Sequence, residues 1–376
     1  DEELKRQVAL KEILPDHAGN VKCQDRFVFE AEVTGSLEHP GIVPVYGLGR
    51  YQDKRPYYAM RFIQGETLAE VIRQHHDPQQ NLDRHTRLLG LRQILNRFVD
   101  VCNTIHNAHS HRILHRDIKP ANIMVGPYGE TLVVDWGLAK LLDTPPDESM
   151  TAELLEDLPS QLNVSGRQVG GTVGTPQYMS PEQAGGRVDE VAIPTDIYLL
   201  GATLYQILTG RPPHADESIT KLLQRVAQGE LVSPRSLNPT ISRPLEAICL
   251  KAMATDPSDR YGDCFELASD IERWMADEPV EVFRDPLWVR MGRWVRRHRT
   301  AAYSGTVAAV LLMVGAIAGS MFWSYQRTQQ IQAARENDAK EAQLLATRQQ
   351  RITELRASVD VATELAEEDL RTDRFS

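Results

Sequence analysis

This sequence of 376 residues contains few cysteines and has no excess of positive charge. The four cysteines lie far apart and form no C-x-x-C pair, which argues against a disulfide framework or zinc site and favours free thiols in a reducing compartment. The formal net charge is −10, whereas nucleic-acid-binding proteins are usually basic, so no nucleic-acid partner is expected. A hydrophobic content of 41% excludes a wholly disordered chain.

One long segment lacks charge altogether. No charged residue occurs between Arg299 and Arg327, and the interval 301–323 is apolar and rich in small residues. As a helix it would be roughly 33 Å long, which suffices to cross a bilayer. A buried core helix is the alternative, but arginines before the segment and Trp323 and Tyr325 at its end are typical of a membrane span. We therefore predict one transmembrane helix over 301–323.

Arginine is distributed unevenly about this span. Five arginines and no acid lie between 287 and 299, whereas the residues after Arg327 are rich in glutamine. The positive-inside rule then places the part before the span in the cytoplasm and the C-terminal tail outside the cell. The basic segment is either a simple stop-transfer flank or an interfacial helix that lies on anionic lipid.

The span and the residues after it contain features that favour pairing of two helices. Gly315 and Gly319 form a small-xxx-small motif, which allows close helix approach and a homodimer. The following segment, 324–376, is helical in composition, with an incomplete heptad of apolar residues. We predict a helical stalk there.

The residues suited to catalysis lie before residue 280. The run 114–122 reads L-H-R-D-I-K-P-A-N, and the pattern H-R-D-x-x-x-x-N is used in phosphoryl transfer. It places a carboxylate (Asp117), an ammonium (Lys119) and a carboxamide (Asn122) at fixed offsets. A structural aspartate in a turn is the alternative, but it does not explain Lys119 and Asn122.

Partner motifs occur in a fixed order around this run. Upstream are Val8-Ala-Leu-Lys11 and Glu30; downstream is Asp135-Trp136-Gly137, then a run ending in Ser180-Pro-Glu182, then Asp196 to Gly201, then Arg260. With these motifs the chain resembles the eukaryotic-like (Hanks-type) transmembrane Ser/Thr protein kinases of bacteria. The resemblance implies membrane signalling at the cell inner membrane.

The resemblance implies an α+β, bilobal protein-kinase fold, with a small β-rich lobe and a large helical lobe. The expected division is 1–63 for a partial small lobe and hinge, 64–277 for the large lobe and 278–300 for a basic juxtamembrane segment, before the span and stalk. The glycine-rich loop of kinases should precede Lys11 by about twenty residues, but none of the ten preceding residues is glycine. We interpret this as N-terminal truncation.

Local patterns predict the elements of the two lobes. We expect a helix over 26–37, strands over 42–46 and 56–62, and helices over 67–75 and 88–108. From 182 to 277 the chain is predicted to be mostly helical, with breaks at 210–213 and 233–234.

The resemblance also implies ATP and Mg²⁺ and assigns roles to the motif residues. Asp117 would orient the attacking hydroxyl, and Lys119 would neutralise the transferred phosphoryl group. Asn122 and Asp135 would hold the metal through oxygen atoms. Lys11 would contact the nucleotide phosphates while paired with Glu30; a solvated surface pair is the alternative.

The nucleotide base has its own predicted contacts. Ala9 and Met124 would enclose the adenine, and Met60 would be the gatekeeper. The hinge from Arg61 to Ile63 would contact the adenine edge through its backbone, and Gly65 would let the chain turn into the large lobe.

Regulation and substrate are also implied. Arg116 is expected to bind a phosphate on the activation segment, with Thr172 as the first candidate site and Ser165 as the second. Thr175 would help to select serine or threonine in protein substrates. Trp136 replaces the usual Phe and is expected to alter switching. A catalytically impaired pseudokinase that acts as a membrane scaffold is the alternative function; a small-molecule kinase is disfavoured by Lys119.

Overall fold

The chain forms two units, residues 1–286 and 287–376. A computed structural model describes residues 4–15, 18–80, 83–142, 175–216 and 218–372. The first unit contains an antiparallel sheet with one helix, followed by a larger helical part with two small sheets. The predicted α+β architecture is thus present in this unit.

The small lobe is a three-stranded antiparallel sheet covered by one helix. Its strands are β1 (Val8–Glu12), β2 (Val45–Arg50) and β3 (Pro56–Arg61), in the order β1-β3-β2. The helix α1 (Val21–Ser36) packs on the sheet through a small buried cluster that includes Phe27 and Tyr58.

Two predictions for this lobe were wrong in detail. Helix α1 begins at Val21 and not at 26, because the side chain of Asn20 accepts a hydrogen bond from the Lys22 amide and caps the helix earlier. The strand predicted over 42–46 forms only from Val45 onward. Ile42 is 3% exposed and makes an isolated bridge to Val133, so its hydrophobicity reflects core packing more than strand pairing.

The large lobe begins with two capped helices. Helix α2 (Leu68–His75) starts with a capping box between Thr67 and Glu70, and the long helix α3 (Arg84–Ser110) is capped by Asp83. Both match their predicted positions, although α3 starts four residues earlier than expected.

Short strands then position the loops of the first unit. Strands β4 (Glu66–Thr67), β6 (Ile123–Val125) and β7 (Thr131–Val133) form one antiparallel sheet, and β5 (Ile113–Leu114) pairs with β8 (Lys140–Leu141).

Six further helices complete the large lobe within the described residues. They are α4 (Pro181–Ala184), α5 (Ile193–Thr209), α6 (Ile219–Ala227), α7 (Pro234–Leu237), α8 (Arg243–Ala252) and α9 (Cys264–Met275). Thirteen of the seventeen residues of α5 are buried, so it forms the centre of the core. The predicted break after α5 is confirmed: Gly210 caps the helix with φ of 76°, a left-handed conformation that glycine adopts without strain.

The second unit consists of α10 (Leu287–Arg297) and α11 (Arg299–Thr372). The predicted span and stalk form one continuous helix of 74 residues, with no break at residue 323. Part of α11 is long and apolar enough, by length and composition, to cross a membrane. The most apolar stretch of this helix is not buried within the structure.

Candidate active site

The loop between β5 and β6 is anchored to the core by one carboxylate. Asp196, at the start of α5, is 0% exposed and accepts hydrogen bonds from the backbone amides of His115 (2.9 Å) and Arg116 (2.8 Å). The His109 ring nitrogen lies 2.8 Å from the same carboxylate. Burial alone would raise the pKa of Asp196, but the bonds and charge of His109 outweigh it and lower the pKa below its ordinary value. Asp196 is therefore an ionised anchor.

The backbone of Arg116 adopts a conformation that only such anchoring sustains. Its φ is 68°, in the left-handed region that costs a non-glycine residue about 1 kcal/mol or more. Asp196 holds its amide, and the Gln183 side-chain amide donates to its carbonyl over 2.9 Å. Both peptide groups of the residue before Asp117 are thus fixed by the large lobe.

Three predicted catalytic side chains meet on this loop. The Lys119 ammonium lies 2.7 Å from Asp117 Oδ2, and the Asn122 amide nitrogen donates to Asp117 Oδ2 and to the Asp117 carbonyl, both over 2.9 Å. Asp117 and Asn122 are each 7% exposed. Both side-chain donors contact Oδ2, which leaves Asp117 Oδ1 to receive a hydroxyl.

A second cluster joins the small lobe to the residue after β7. The Lys11 ammonium is 2.5 Å from Glu30 Oε1 and 3.2 Å from Asp135 Oδ1. The Tyr58 hydroxyl donates to the same Glu30 oxygen over 2.9 Å. The side chain of Glu30 is only 6% exposed, whereas those of Lys11 and Asp135 are 36% and 48% exposed. The pair is therefore not a solvated surface contact: Glu30 is the fixed member and Lys11 faces the open side.

The charges of this cluster reinforce one another. Burial alone would lower the pKa of the Lys11 ammonium, but Asp135 and Glu30 outweigh it and raise that pKa above its ordinary value. Burial would likewise raise the pKa of Asp135, but the adjacent Lys11 ammonium dominates and lowers it, with a smaller contribution from Lys119. The influence of Lys119 on Asp135 shows that the two clusters share one electrostatic environment.

The D-W-G motif is fixed by contacts on both sides. Asp135 has a φ of 67°, and the Arg26 guanidinium on α1 donates to the Gly137 carbonyl over 2.7 Å. Trp136 is 1% exposed, with its ring centroid 4.6 Å from that of His115. Within the described residues neither Trp136 Nε1 nor His115 Nε2 has a hydrogen-bond partner.

Two of the predicted adenine contacts lie on paired strands of the small lobe. Ala9 on β1 pairs directly with Met60 on β3, and both lie on the same sheet face as Lys11, since side chains alternate along a strand. Met124 on β6 and Ile63 in the linker after β3 are both half-buried, and Met124 pairs with Leu132.

Two hinge residues have contacts that the sequence did not predict. The Arg61 guanidinium lies 3.6 Å from the Glu130 carboxylate, so the hinge is tied to the large lobe through a side chain as well. A Cβ on Gly65 would lie 2.2 Å from the Val125 carbonyl oxygen. Glycine is required there for close backbone approach, and not for an unusual turn conformation.

The residues present fit a magnesium ion of the kind predicted. Among the described residues no group of three or more His, Cys, Asp or Glu side chains could hold a metal by itself. Mg²⁺ needs no such cage, because it retains waters and uses phosphate oxygens together with one or two protein oxygens. The amide nitrogen of Asn122 is used by Asp117, which leaves its carbonyl oxygen for a cation, and Asp135 adds a carboxylate.

Glu182 and Arg260, two of the motif residues identified in the sequence, form a fully buried ion pair. Two guanidinium nitrogens of Arg260 lie 2.8 Å from the two Glu182 oxygens, and both side chains are 0% exposed. Thr195 also donates to Glu182 over 2.8 Å. Burial would raise the pKa of Glu182, but the Arg260 bonds dominate and lower it.

The two predicted phosphorylation sites, Thr172 and Ser165, lie outside the described residues. The backbone of Thr175 begins a short 3₁₀ turn, Thr175–Gln177. Sequence reasoning missed Tyr58, Arg26 and the anchoring role of Asp196. For Asp196 a signal existed, since it opens a strongly apolar helix in which an unpaired carboxylate would be costly.

The family model for the protein kinase domain matches residues 1–272, so the chain belongs to the protein kinase family. A serine/threonine-protein kinase PknD of Protochlamydia amoebophila is 36% identical over 274 residues, which are 72% of this chain and 27% of that protein. PknB of Mycobacterium leprae, also a serine/threonine-protein kinase, is 32% identical over 288 residues, 75% of this chain and 41% of that protein. The chain thus spans well under half the length of these curated relatives.

A solved structure also resembles this chain. The kinase domain of Mycobacterium tuberculosis PknI aligns with a TM-score of 0.49 at 24% identity, covering 72% of this chain and 86% of that one.

Proposed function

We propose that this chain transfers the γ-phosphoryl group of ATP to serine and threonine hydroxyls of proteins. The observation that carries the proposal is the meeting of Asp117, Lys119 and Asn122 on a loop anchored by the buried carboxylate of Asp196. A scaffold protein has no chemical need for that arrangement. Family membership and the names of the relatives, serine/threonine-protein kinases, favour the same activity.

The catalytic loop is suited to positioning and charge neutralisation, which phosphoryl transfer chiefly requires. Asp117 orients the attacking hydroxyl and receives its proton, while Lys119 offsets negative charge on the group in transfer. Asn122 and Asp135 would hold Mg²⁺, which would supply positive charge to offset the negative charge of the phosphates. Each of these residues is already held by a neighbour at 2.7–3.2 Å.

Nucleotide binding is assigned to the small-lobe side of the site. Lys11, kept charged by Glu30 and Asp135, contacts the phosphates. Ala9, Met60 and Met124 surround the adenine with apolar surface, and the backbone from Arg61 to Ile63 pairs with its edge.

We also propose that the chain crosses the cell inner membrane once, over 301–323. The uncharged apolar segment and the arginines before it support the span, with the kinase unit in the cytoplasm and the stalk outside. Cytoplasmic ATP is consistent with this orientation.

Regulation by activation-segment phosphorylation is part of the proposal. The Arg116 guanidinium donates to the carbonyls of Leu138 (2.5 Å) and Ala139 (3.3 Å), which places a cation beside the start of that segment. A phosphate on Thr172 is the proposed partner. Pairing of two chains through Gly315 and Gly319 would bring one kinase unit to the other's segment.

A pseudokinase scaffold is the second candidate, and Trp136 is the observation that favours it. Its buried indole N–H lacks a partner within the described residues, a cost of about 1–3 kcal/mol that a phenyl ring would avoid. Such a cost weakens the motif that carries Asp135.

The test is phosphate mapping by mass spectrometry after incubation of the full chain, in lipid nanodiscs, with Mg·ATP. Asp117→Asn is the control, because it removes the proton acceptor while keeping the size of the side chain. New phosphate on serine or threonine that is absent in the control supports the kinase. A thermal shift with Mg·ATP distinguishes the alternatives: binding without transfer favours the scaffold, and neither binding nor transfer contradicts both.

A further inference from the structure

Helix α10 separates apolar and basic residues onto two faces. At 100° per residue, five apolar residues fall within an arc of about 120°. They are Leu287, Trp288, Met291, Trp294 and Val295. Four arginines fall within the opposite arc of about 120°. They are Arg290, Arg293, Arg296 and Arg297.

The apolar face is not buried where the structure describes it. Met291 is 68% exposed and Val295 is 45% exposed, so packing within the second unit leaves both in contact with solvent. Exposed apolar side chains on a strongly amphipathic helix are typical of a surface that something else covers.

The position of α10 along the chain restricts what that partner is. Helix α10 ends at Arg297 and the predicted span begins at 301. Four residues extend at most about 14 Å, so the end of α10 lies within or beside the headgroup layer of the bilayer. A break at His298 separates the two helices, and this break allows a change of direction between them.

The charges favour anionic lipid over a neutral surface. From Pro286 to Arg335 the chain contains no acidic residue, whereas α10 contributes four guanidinium groups. Guanidinium pairs with phosphate in bidentate geometry, and tryptophan favours the boundary between headgroups and acyl chains.

We propose that α10 lies flat in the cytoplasmic interface of an anionic bilayer, with its apolar arc toward the acyl chains and its arginines on headgroup phosphates. The proposal rests on the proposed span over 301–323. It makes the juxtamembrane segment a second membrane contact, whose strength depends on lipid charge.

The test places a nitroxide spin label on either face of α10 in the full chain, reconstituted in nanodiscs. Cys23→Ser provides the background, because the other cysteines are buried. Met291→Cys reports the apolar arc, and Val289→Cys is the matched control, since Val289 is apolar but falls within the basic arc. Collision rates with oxygen and with a nickel chelate measure the depth of each label.

In phosphatidylglycerol-containing nanodiscs the ratio of oxygen to nickel collisions should be several-fold higher at 291 than at 289. Changing the four arginines to glutamine should weaken the interfacial state roughly 10²- to 10³-fold and remove the difference between the labels. Equal water exposure at both positions in anionic nanodiscs would overturn the proposal. Spin–spin broadening at 291 would also overturn it, since a second copy would then cover this face.

A label at Leu312→Cys keeps the two proposals separable. If this label is shielded from nickel while 291 remains aqueous, the span stands and the interfacial helix fails. If 312 is itself aqueous, the span has failed and the interfacial helix fails with it, whatever the phosphate mapping shows about kinase activity.

Discussion

Two ion pairs in the kinase unit have similar lengths and opposite surroundings. Arg260 meets Glu182 through two contacts of 2.8 Å, with both side chains 0% exposed. Lys11 meets Glu30 at 2.5 Å, but Lys11 is 36% exposed and faces a second carboxylate, Asp135.

The partners of the two cations explain the difference. Arg260 also donates to the carbonyls of Pro194 and Ala254, both at 2.8 Å, so its donors are used within the core and it joins α5 to the turn after α8. Lys11 lies between two carboxylates on the open side of the site, where a third anion can approach. A cation whose donors are used within the core maintains architecture, whereas one left on an open side is available for binding phosphate.

The largest expected effect is on the buried pair. Arg260→Met should lower the free energy of unfolding by about 3–5 kcal/mol, because it leaves the Glu182 carboxylate buried without its counter-charge. Urea unfolding followed by circular dichroism measures this. The double variant with Glu182→Leu should recover part of the loss. If the double variant were less stable than Arg260→Met, removing the unpaired carboxylate would not restore stability. The Glu182 side chain would then stabilise the fold by contacts other than its ion pair with Arg260.

Loss of the Lys11–Glu30 pair should affect activity more than stability. Lys11→Met should lower kcat/KM for ATP by about 10²- to 10³-fold, since one phosphate clamp is lost. Its effect on unfolding should be smaller than that of Arg260→Met, because Lys11 is partly exposed and Glu30 keeps the hydrogen bond from the Tyr58 hydroxyl. Paired kinetic and urea measurements check both halves. If Lys11→Met were as unstable as Arg260→Met, the distinction between the two pairs would collapse.

A buried histidine that bonds a tyrosine gives a third case. His214 is 4% exposed and bonds Tyr198 over 2.9 Å; burial, with a smaller effect of the Arg225 charge, lowers its pKa to about 4. The folded state then binds fewer protons than the unfolded state, whose His pKa is about 6.5. Stability is therefore full above pH 6.5 and falls toward pH 4, by up to about 3 kcal/mol.

The measurement is the urea midpoint as a function of pH. His214→Gln, which retains a polar group for Tyr198, should make the profile between pH 6.5 and 4 shallower than in the unchanged chain. A slope should remain, because burial also lowers the pKa of His75 to about 4. Carboxylates with lowered pKa, among them Asp196, Glu182 and Asp135, lose their stabilising effect only below their ordinary values near 4, at the acid end of this range. An unchanged slope in the variant would assign the pH dependence to other groups.

The sequence predicted the catalytic residues of the site better than the residues that hold them in place. Asp117, Lys119 and Asn122 occupy one short run, so their proximity is local and readable from spacing. Asp196 acts on His115 from 81 residues away, and Tyr58 acts on Glu30 across 28 residues. Bonds between distant residues depend on how the elements pack, and no local pattern records them.

The same reason accounts for the errors in the elements. The β-branched run at Ile42 predicted a strand, but tertiary packing buried it without pairing most of it. Helix α1 was predicted too short because the cap at Asn20 was not recognised. By contrast, the glycine and proline signals after α5 and before α7 were sufficient, since they act on the backbone directly.

The smallest expected effect comes from an exposed pair that matches the others in length. Arg55 Nε lies 2.6 Å from Asp53 Oδ2, almost as close as Lys11 to Glu30, but these side chains are 31% and 53% exposed. Water screens both charges, and ordering two long side chains opposes the attraction. Arg55→Met should therefore leave both the urea midpoint and kcat/KM unchanged within error. A clear loss of stability would mean that proximity alone determines what an ion pair contributes; an unchanged midpoint beside the loss in Arg260→Met would assign that contribution to burial.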